Sequence, residues 1–186
     1  MAGKKSELGK TGQTVAANVK RLREDKNLTY AELSRRLETI GRPIPVLGLS
    51  RVENGTRRVD VDDLMALAVV LEVSPSALLM PGVDAGSPKV DATGIPDPVP
   101  AQRLWNWALG LDLLPGVSRD PLAVHRFVKY SNPIEYNEAV RRQAAGKVSS
   151  HPVAVPRVAA IHQRAQQREV ADAAVAAEYG HADGDD

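Results

Sequence analysis

The sequence predicts an all-α protein, with a five-helix domain at the N-terminal side and a smaller helical region after it. Three features predict this. Apolar residues recur at spacings of three and four, as on one face of a 3.6-residue helix. Residues that cap or stop helices bracket these runs. Strand-type alternation is nowhere sustained across the 186 residues.

Val15, Val19 and Leu22 define a first helix that Asn27 ends. Thr29 is a good N-cap, and Glu32 three residues on completes a capping box. The second helix carries Leu33 and Leu37 and stops at Gly41. Pro43 and Pro45 bias their predecessors away from helical backbone, so residues 41–44 are not regular helix. Pro45 itself suits the first turn of a third helix, expected over residues 45–54 with Gly55 as its stop. Val61, Leu64, Leu67, Ala68 and Leu71 mark the buried face of a fourth, with Asp60, Asp62 and Asp63 near its positive end. Ser74-Pro75 opens a short fifth helix, which Pro81-Gly82 closes.

On this reading residues 1–12 are a flexible basic arm, 13–81 the five-helix domain and 82–100 a Gly/Pro/Asp/Ser-rich linker. Residues 101–179 form a helical C-terminal region for dimerisation or for binding an effector or partner, and 180–186 a disordered acidic tail. In that region one helix is expected from about Leu104 to Leu114, a second from Asp120, a third over 134–145 and a fourth over 157–179. Trp105 and Trp107, two apart, cannot share a helix face, so one belongs to the core and the other to an interface or pocket. No internal repeat stands out.

Composition narrows the function classes. There are no cysteines, which removes disulfides, thiolate metal sites and cysteine nucleophiles and suits a reducing cytoplasm. No run approaches the roughly 18 apolar residues that mark a membrane span. His125, His151, His162 and His181 lack metal-ligand spacing, so no metal and no cofactor is expected. Gly9-Lys10-Thr11 lacks the preceding strand of a phosphate loop, and Ser149-Ser150-His151 lacks a nucleophile elbow. No constellation of an enzyme is present. The net charge of +1 hides an asymmetry: residues 1–58 hold 13 Lys/Arg against 6 Asp/Glu, and the remainder is acidic. A basic half suits a polyanionic partner, since neutralised phosphates release counterions.

The segments VKRLREDKNLTYAELSRRL, LSRVENGTRRV and LMALAVVLEVSPSALL, between residues 15 and 80, resemble the Cro/lambda-repressor (XRE) family of helix-turn-helix regulators. The family's helix-1 arginine falls on Arg23, its Leu-Thr opening on Leu28-Thr29, and its Ser-x-x-Glu-x-Gly on Ser50, Glu53 and Gly55. The resemblance implies a DNA-binding transcriptional regulator, with a recognition helix over residues 45–54 entering the major groove of double-stranded DNA as a homodimer. It implies base reading by Pro45, Val46, Leu47 and Arg51, with Gly48 close to the DNA backbone. It implies phosphate contacts from Thr29, Tyr30, Arg42, Ser50, Asn54, Arg57 and Arg58, and a structural ion pair between Arg23 and Glu53. Lys4, Lys5 and Lys10 of the arm could add phosphate or minor-groove contacts.

Two departures from the family matter. The chain is about five residues longer than usual between Leu33 and Ser50, through a lengthened second helix or an expanded turn at residues 38–43. Three of the four base-reading positions are apolar, so they can meet thymine methyls but cannot form bidentate pairs. Val46 and Leu47 either face the DNA or pack inside an altered turn. The same apolar positions support a competing reading, a protein-interaction adaptor that keeps the repressor fold without reading DNA sequence.

Overall fold

The computed structural model describes residues 7–82, 89–114, 116–145, 159–161, 163, 164, 166, 167 and 170. They fall into two compact units, one ending at Ala108 and one beginning at Leu109. Expectations for Lys4, Lys5, residues 146–158 and the acidic tail lie outside the described residues.

The first unit is built from α1 (Lys10–Asp25), α2 (Tyr30–Thr39), α3 (Val46–Glu53), α4 (Val61–Val70) and α5 (Pro75–Leu79). A two-residue antiparallel ladder follows, β1 (Lys89–Val90) on β2 (Val99–Pro100), and then α6 (Ala101–Ala108). Apart from that ladder, the regular elements among the described residues are all helices. Its five-helix core gathers Val15, Val19, Leu28, Leu33, Leu37, Ile44, Leu49, Val52, Leu67, Leu71 and Leu78. Leu33, Leu37, Leu49 and Val52 are fully buried and form the wedge that fixes α3 against α2.

The caps behave as the sequence chemistry dictates. Thr29 Oγ1 accepts from the Glu32 amide at 3.1 Å, Asp60 Oδ1 from the Asp63 amide at 2.7 Å, and Ser74 Oγ from the Ala77 amide at 3.3 Å. Asn27, with φ 53°, turns the chain out of α1. Buried Asn18 closes the unit, donating from Nδ2 to the carbonyls of Leu78 at 3.0 Å and Met80 at 2.8 Å.

Of residues 38–43, Glu38 and Thr39 form the end of α2 and the turn runs on from Ile40. Three contacts hold the expanded turn. Ile44 is buried in the core, Ser34 Oγ donates to the Ile44 carbonyl at 2.7 Å, and Arg42 reaches back to the start of α4. Burying the Ile44 side chain contributes about 1.5–3 kcal/mol.

Several boundaries differ from the sequence expectation. Residues 10–12 of the expected arm belong to α1, and Thr11 pairs with Thr93 in the expected linker, amide to hydroxyl in both directions at 3.2 and 3.0 Å. The helix expected to run to Leu114 stops at Ala108, because the chain turns at Gly110, whose φ is +66°. Trp105 is half-buried, with its indole Nε1 donating to the Pro81 carbonyl at 2.7 Å, whereas Trp107 is exposed. Val61, expected in the core, is exposed and forms an outward stripe with Met65 and Val69. A cavity of about 550 Å³ lies between the start of α1 and the start of α4, lined mainly by Leu8, Val15, Val52, Val59, Leu64 and Leu79.

The second unit contains α7 (Pro121–Ser131) and α8 (Pro133–Ala144), with further helical residues from 159 on. Asp120 caps α7 by accepting from the Ala123 amide at 2.9 Å. Leu113, Val124, Val128 and Ile161 form a small core against which Phe127 and Tyr136 pack. His125 Nε2 lies 2.9 Å from the Tyr136 hydroxyl.

Candidate nucleic-acid interface

The candidate helix is α3, which is seated on one side and open on the other. One side carries Leu49, Val52 and Glu53 into the unit, while Pro45, Val46, Leu47, Arg51 and Asn54 are exposed. Val46 is 46% and Leu47 61% exposed, so neither packs inside the expanded turn. The alternative in which they are buried is overturned: Ile44 takes the core position instead.

The far end of α3 is anchored by the pair anticipated from the family pattern. Arg23 Nε donates to Glu53 Oε1 at 2.6 Å and Arg23 Nη2 to Oε2 at 2.9 Å. Both side chains are shielded, Glu53 to 1% and Arg23 to 11% exposure, so water screens the pair weakly. Arg23 Nη1 also donates to the Leu28 carbonyl at 3.0 Å, tying α1 to the start of the helix-turn-helix. Its hydrogen bonds to Glu53 hold the Arg23 guanidinium charged well beyond its ordinary range.

Tyr30, at the start of α2, has a structural role through its side chain. Its hydroxyl donates to Glu53 Oε2 at 2.8 Å, and its ring lies 4.4 Å beneath the Arg23 guanidinium. Donation to a carboxylate, together with burial, raises its pKa. Tyr30 is therefore the third member of the structural cluster, and its hydroxyl is already committed there.

A second anchor lies at the near end of α3. Asp63, buried on α4, accepts from Arg42 Nε at 2.8 Å and from Arg57 Nη2 at 2.7 Å, one arginine on each carboxylate oxygen. Arg42 Nη2 also donates to Asp60 Oδ2 at 3.0 Å. Asp63 holds Arg42 more firmly charged, and the Asp63 amide lowers the pKa of Asp60. Arg42 and Arg57, nominated for phosphates, are thus first of all ties that bind the turn before α3 and the loop after it to α4.

By sequence Asp63 is one of three acids near the positive end of α4. A finer signal was present: Asp63 lies four and seven residues before Leu67 and Val70, on the buried face of α4. A carboxylate in that register needs cationic partners.

Arg57 also explains Gly48. A side-chain carbon at residue 48 would come within 2.6 Å of Arg57 Nη1 and 3.2 Å of Ile44 Cγ2. Glycine leaves room for the guanidinium to lie across α3. Gly55, with φ +68°, makes the turn out of α3 in a conformation that side chains disfavour.

The remaining expected phosphate ligands are dispersed around this helix. Thr29 is exposed, and its hydroxyl caps α2. Asn54 Nδ2 donates to Ser50 Oγ at 3.3 Å, one turn apart on the outer side of α3. Arg58 is exposed and donates from Nη2 to the Glu7 carbonyl at 3.2 Å. Lys10 lies 3.4 Å from Asp91. Arg35 and Arg36 both bond Glu32, whose pKa they lower to about 2. Among the described residues no cluster of three potential metal ligands occurs, and no helix is long and apolar enough to cross a membrane.

A five-helix unit with a wedged helix pair and an outward third helix defines the helix-turn-helix class of domain. Residues 19–78 match the family model described as Helix-turn-helix. The chain therefore carries a Cro/lambda-repressor-like helix-turn-helix domain, of the kind found in DNA-binding regulators, over about a third of its length. Nothing among curated proteins or solved structures matches the chain.

Proposed function

We propose that this protein is a transcriptional regulator that seats α3 in the major groove of double-stranded DNA and acts as a homodimer. The observation carrying this reading is the outer face of α3. It exposes Val46, Leu47 and Arg51 on a helix braced at one end by Arg23–Glu53–Tyr30 and at the other by Arg42–Asp63–Arg57. A groove about 12 Å wide admits one helix, and bracing at both ends keeps the angle of approach fixed.

Arg51 is the base-reading cation, suited to guanine O6/N7, and Arg57, Arg58, Thr29, Ser50 and Asn54 line the flanks where phosphates run. Dimerisation fits because one module of this size buries too little surface for tight, specific binding. The second unit exposes Leu122, Tyr130 and Ile134, apolar surface that suits a subunit or effector contact. A cytoplasmic location follows from a DNA target.

Selection of bound duplexes from a random pool tests the reading. The expected result is an enriched motif with two symmetric half-sites, and an affinity that falls steeply with salt. Arg57→Ala is expected to flatten the salt slope by about one. The exposed apolar side chains of α3 also favour the adaptor reading. An unenriched pool together with a salt-independent protein partner would establish the adaptor instead.

A further inference from the structure

The outer face of α3 is unusual in what it offers to a base edge. From its first turn the exposed side chains are Val46 and Leu47, preceded by exposed Pro45, and none of the three can donate or accept a hydrogen bond. Residue 48 adds nothing, because Arg57 lies where its side chain would be. The next exposed side chain is Arg51, four residues from Leu47 on the same side of the helix. Ser50 and Asn54 are tied to each other.

Among groups in the major groove, the thymine C5-methyl is the apolar one. We infer that Leu47, with Val46 beside it, reads the operator through thymine methyls, and that Arg51 reads a guanine about two base steps away. The spacing follows from four residues at about 1.5 Å each against base pairs about 3.4 Å apart. This inference rests on the duplex reading proposed above and specifies its target: half-sites with thymine facing Leu47 and guanine facing Arg51. Two observations favour DNA over a protein as the occupant. One turn beyond Leu47 stands the exposed cation Arg51, and residues 1–58 carry an excess of Lys and Arg.

Base substitution separates the inference from the reading beneath it. In the selected operator, each thymine facing Leu47 is replaced by deoxyuridine, which differs only by the lost methyl, and the affinity is measured by fluorescence anisotropy. Each replacement is expected to weaken the wild type about three- to fivefold, the worth of one buried methyl group. In Leu47→Ala, a change at an exposed helical position that keeps a good helix former, the thymine-to-uracil difference is expected to fall below about twofold. At a cytosine placed there, 5-methylation is expected to tighten wild-type binding and leave Leu47→Ala unchanged.

An operator that binds equally well with uracil overturns the inference while the duplex reading stands. A uracil penalty that survives in both Leu47→Ala and Val46→Ala overturns it too. Loss of a protein partner in Leu47→Ala, with DNA affinity intact, assigns the face to protein contact instead. A pool with no enriched duplex removes the duplex reading itself, and this inference with it.

Discussion

Arg42, in the turn before α3, and Asp63, at the start of α4, meet through a 2.8 Å hydrogen bond from Nε to Oδ1. The other oxygen of the same buried carboxylate receives Arg57 at 2.7 Å. One acid thus holds the turn before α3 and the loop after it. Asp63→Ala removes both ties at once, and the arginines, each more than a third exposed, regain water. A loss of about 2 kcal/mol in urea unfolding is expected. Arg42→Ala or Arg57→Ala alone is expected to cost less, and equal losses in all three would show that the shared carboxylate is not the hub.

The cluster at the other end is more deeply buried, and its disruption is expected to cost more. Glu53→Ala leaves the Arg23 guanidinium without its carboxylate at 11% exposure, for which roughly 3 kcal/mol is expected. Tyr30→Phe removes one hydrogen bond to a charged acceptor and is expected to cost about 1.5 kcal/mol. In the Glu53→Ala background Tyr30→Phe is expected to be nearly neutral, and chemical denaturation of the double mutant reads this coupling directly.

Two groups set opposite edges of the pH profile. The pKa of Glu32 is lowered to about 2 by Arg35 and Arg36, so the folded state favours its charged form. That contribution is present above the ordinary carboxylate range and is lost as pH falls from about 4.5 towards 2. Glu32→Gln is expected to flatten this acid limb of Tm against pH, and salt is expected to weaken the effect. The Tyr30 pKa is raised, so its contribution is complete below about pH 10 and lost as pH rises through the folded-state value. Tyr30→Phe is expected to remove that alkaline loss. An unchanged limb in either variant would contradict the assignment.

Ile44 is the apolar plug of the expanded turn. Ile44→Ala is expected to cost about 3 kcal/mol, within the usual range for truncating a buried aliphatic side chain. Its effect should also reach the neighbouring turn, so faster amide hydrogen exchange is expected at Arg42 and Leu49, whose amides bond the carbonyls of Leu37 and Pro45. Protection left unchanged at both would show that the turn is held by its polar contacts alone.

Gly48→Ala tests space rather than stability. Alanine gains about 1 kcal/mol of helix propensity over glycine, but its methyl would displace the Arg57 guanidinium. The expected outcome is a folded protein with a melting temperature close to wild type and a DNA affinity reduced several-fold. In the Arg57→Ala background the same substitution is expected to leave affinity unchanged. A further drop there would mean that the methyl itself obstructs the groove.

Much of the domain was legible in the residues alone, because its determinants are local. Capping by Thr29, the acids at the start of α4, the Ser74-Pro75 opening, the stops at Asn27 and Gly55, and the helical spacing of Leu33, Leu37, Leu67 and Leu71 need only their near neighbours. The Arg23–Glu53 tie, separated by 30 residues, was legible through the family pattern rather than through periodicity. The stop of α6 at Ala108 was not anticipated, since the apolar spacing continues into Leu111 and Leu114 while the backbone turns at Gly110.

From the order of its residues this protein has its helices, their wedge and the identity of its outward helix, since periodicity and capping act within a few residues. Tertiary packing decided which cations are occupied. Asp63 claims Arg42 and Arg57, and Glu53 claims Tyr30, because a buried carboxylate takes its donors from wherever the fold brings them. It also decided that Ile44, rather than Val46 or Leu47, fills the core, and so which apolar side chains remain outside to meet a partner.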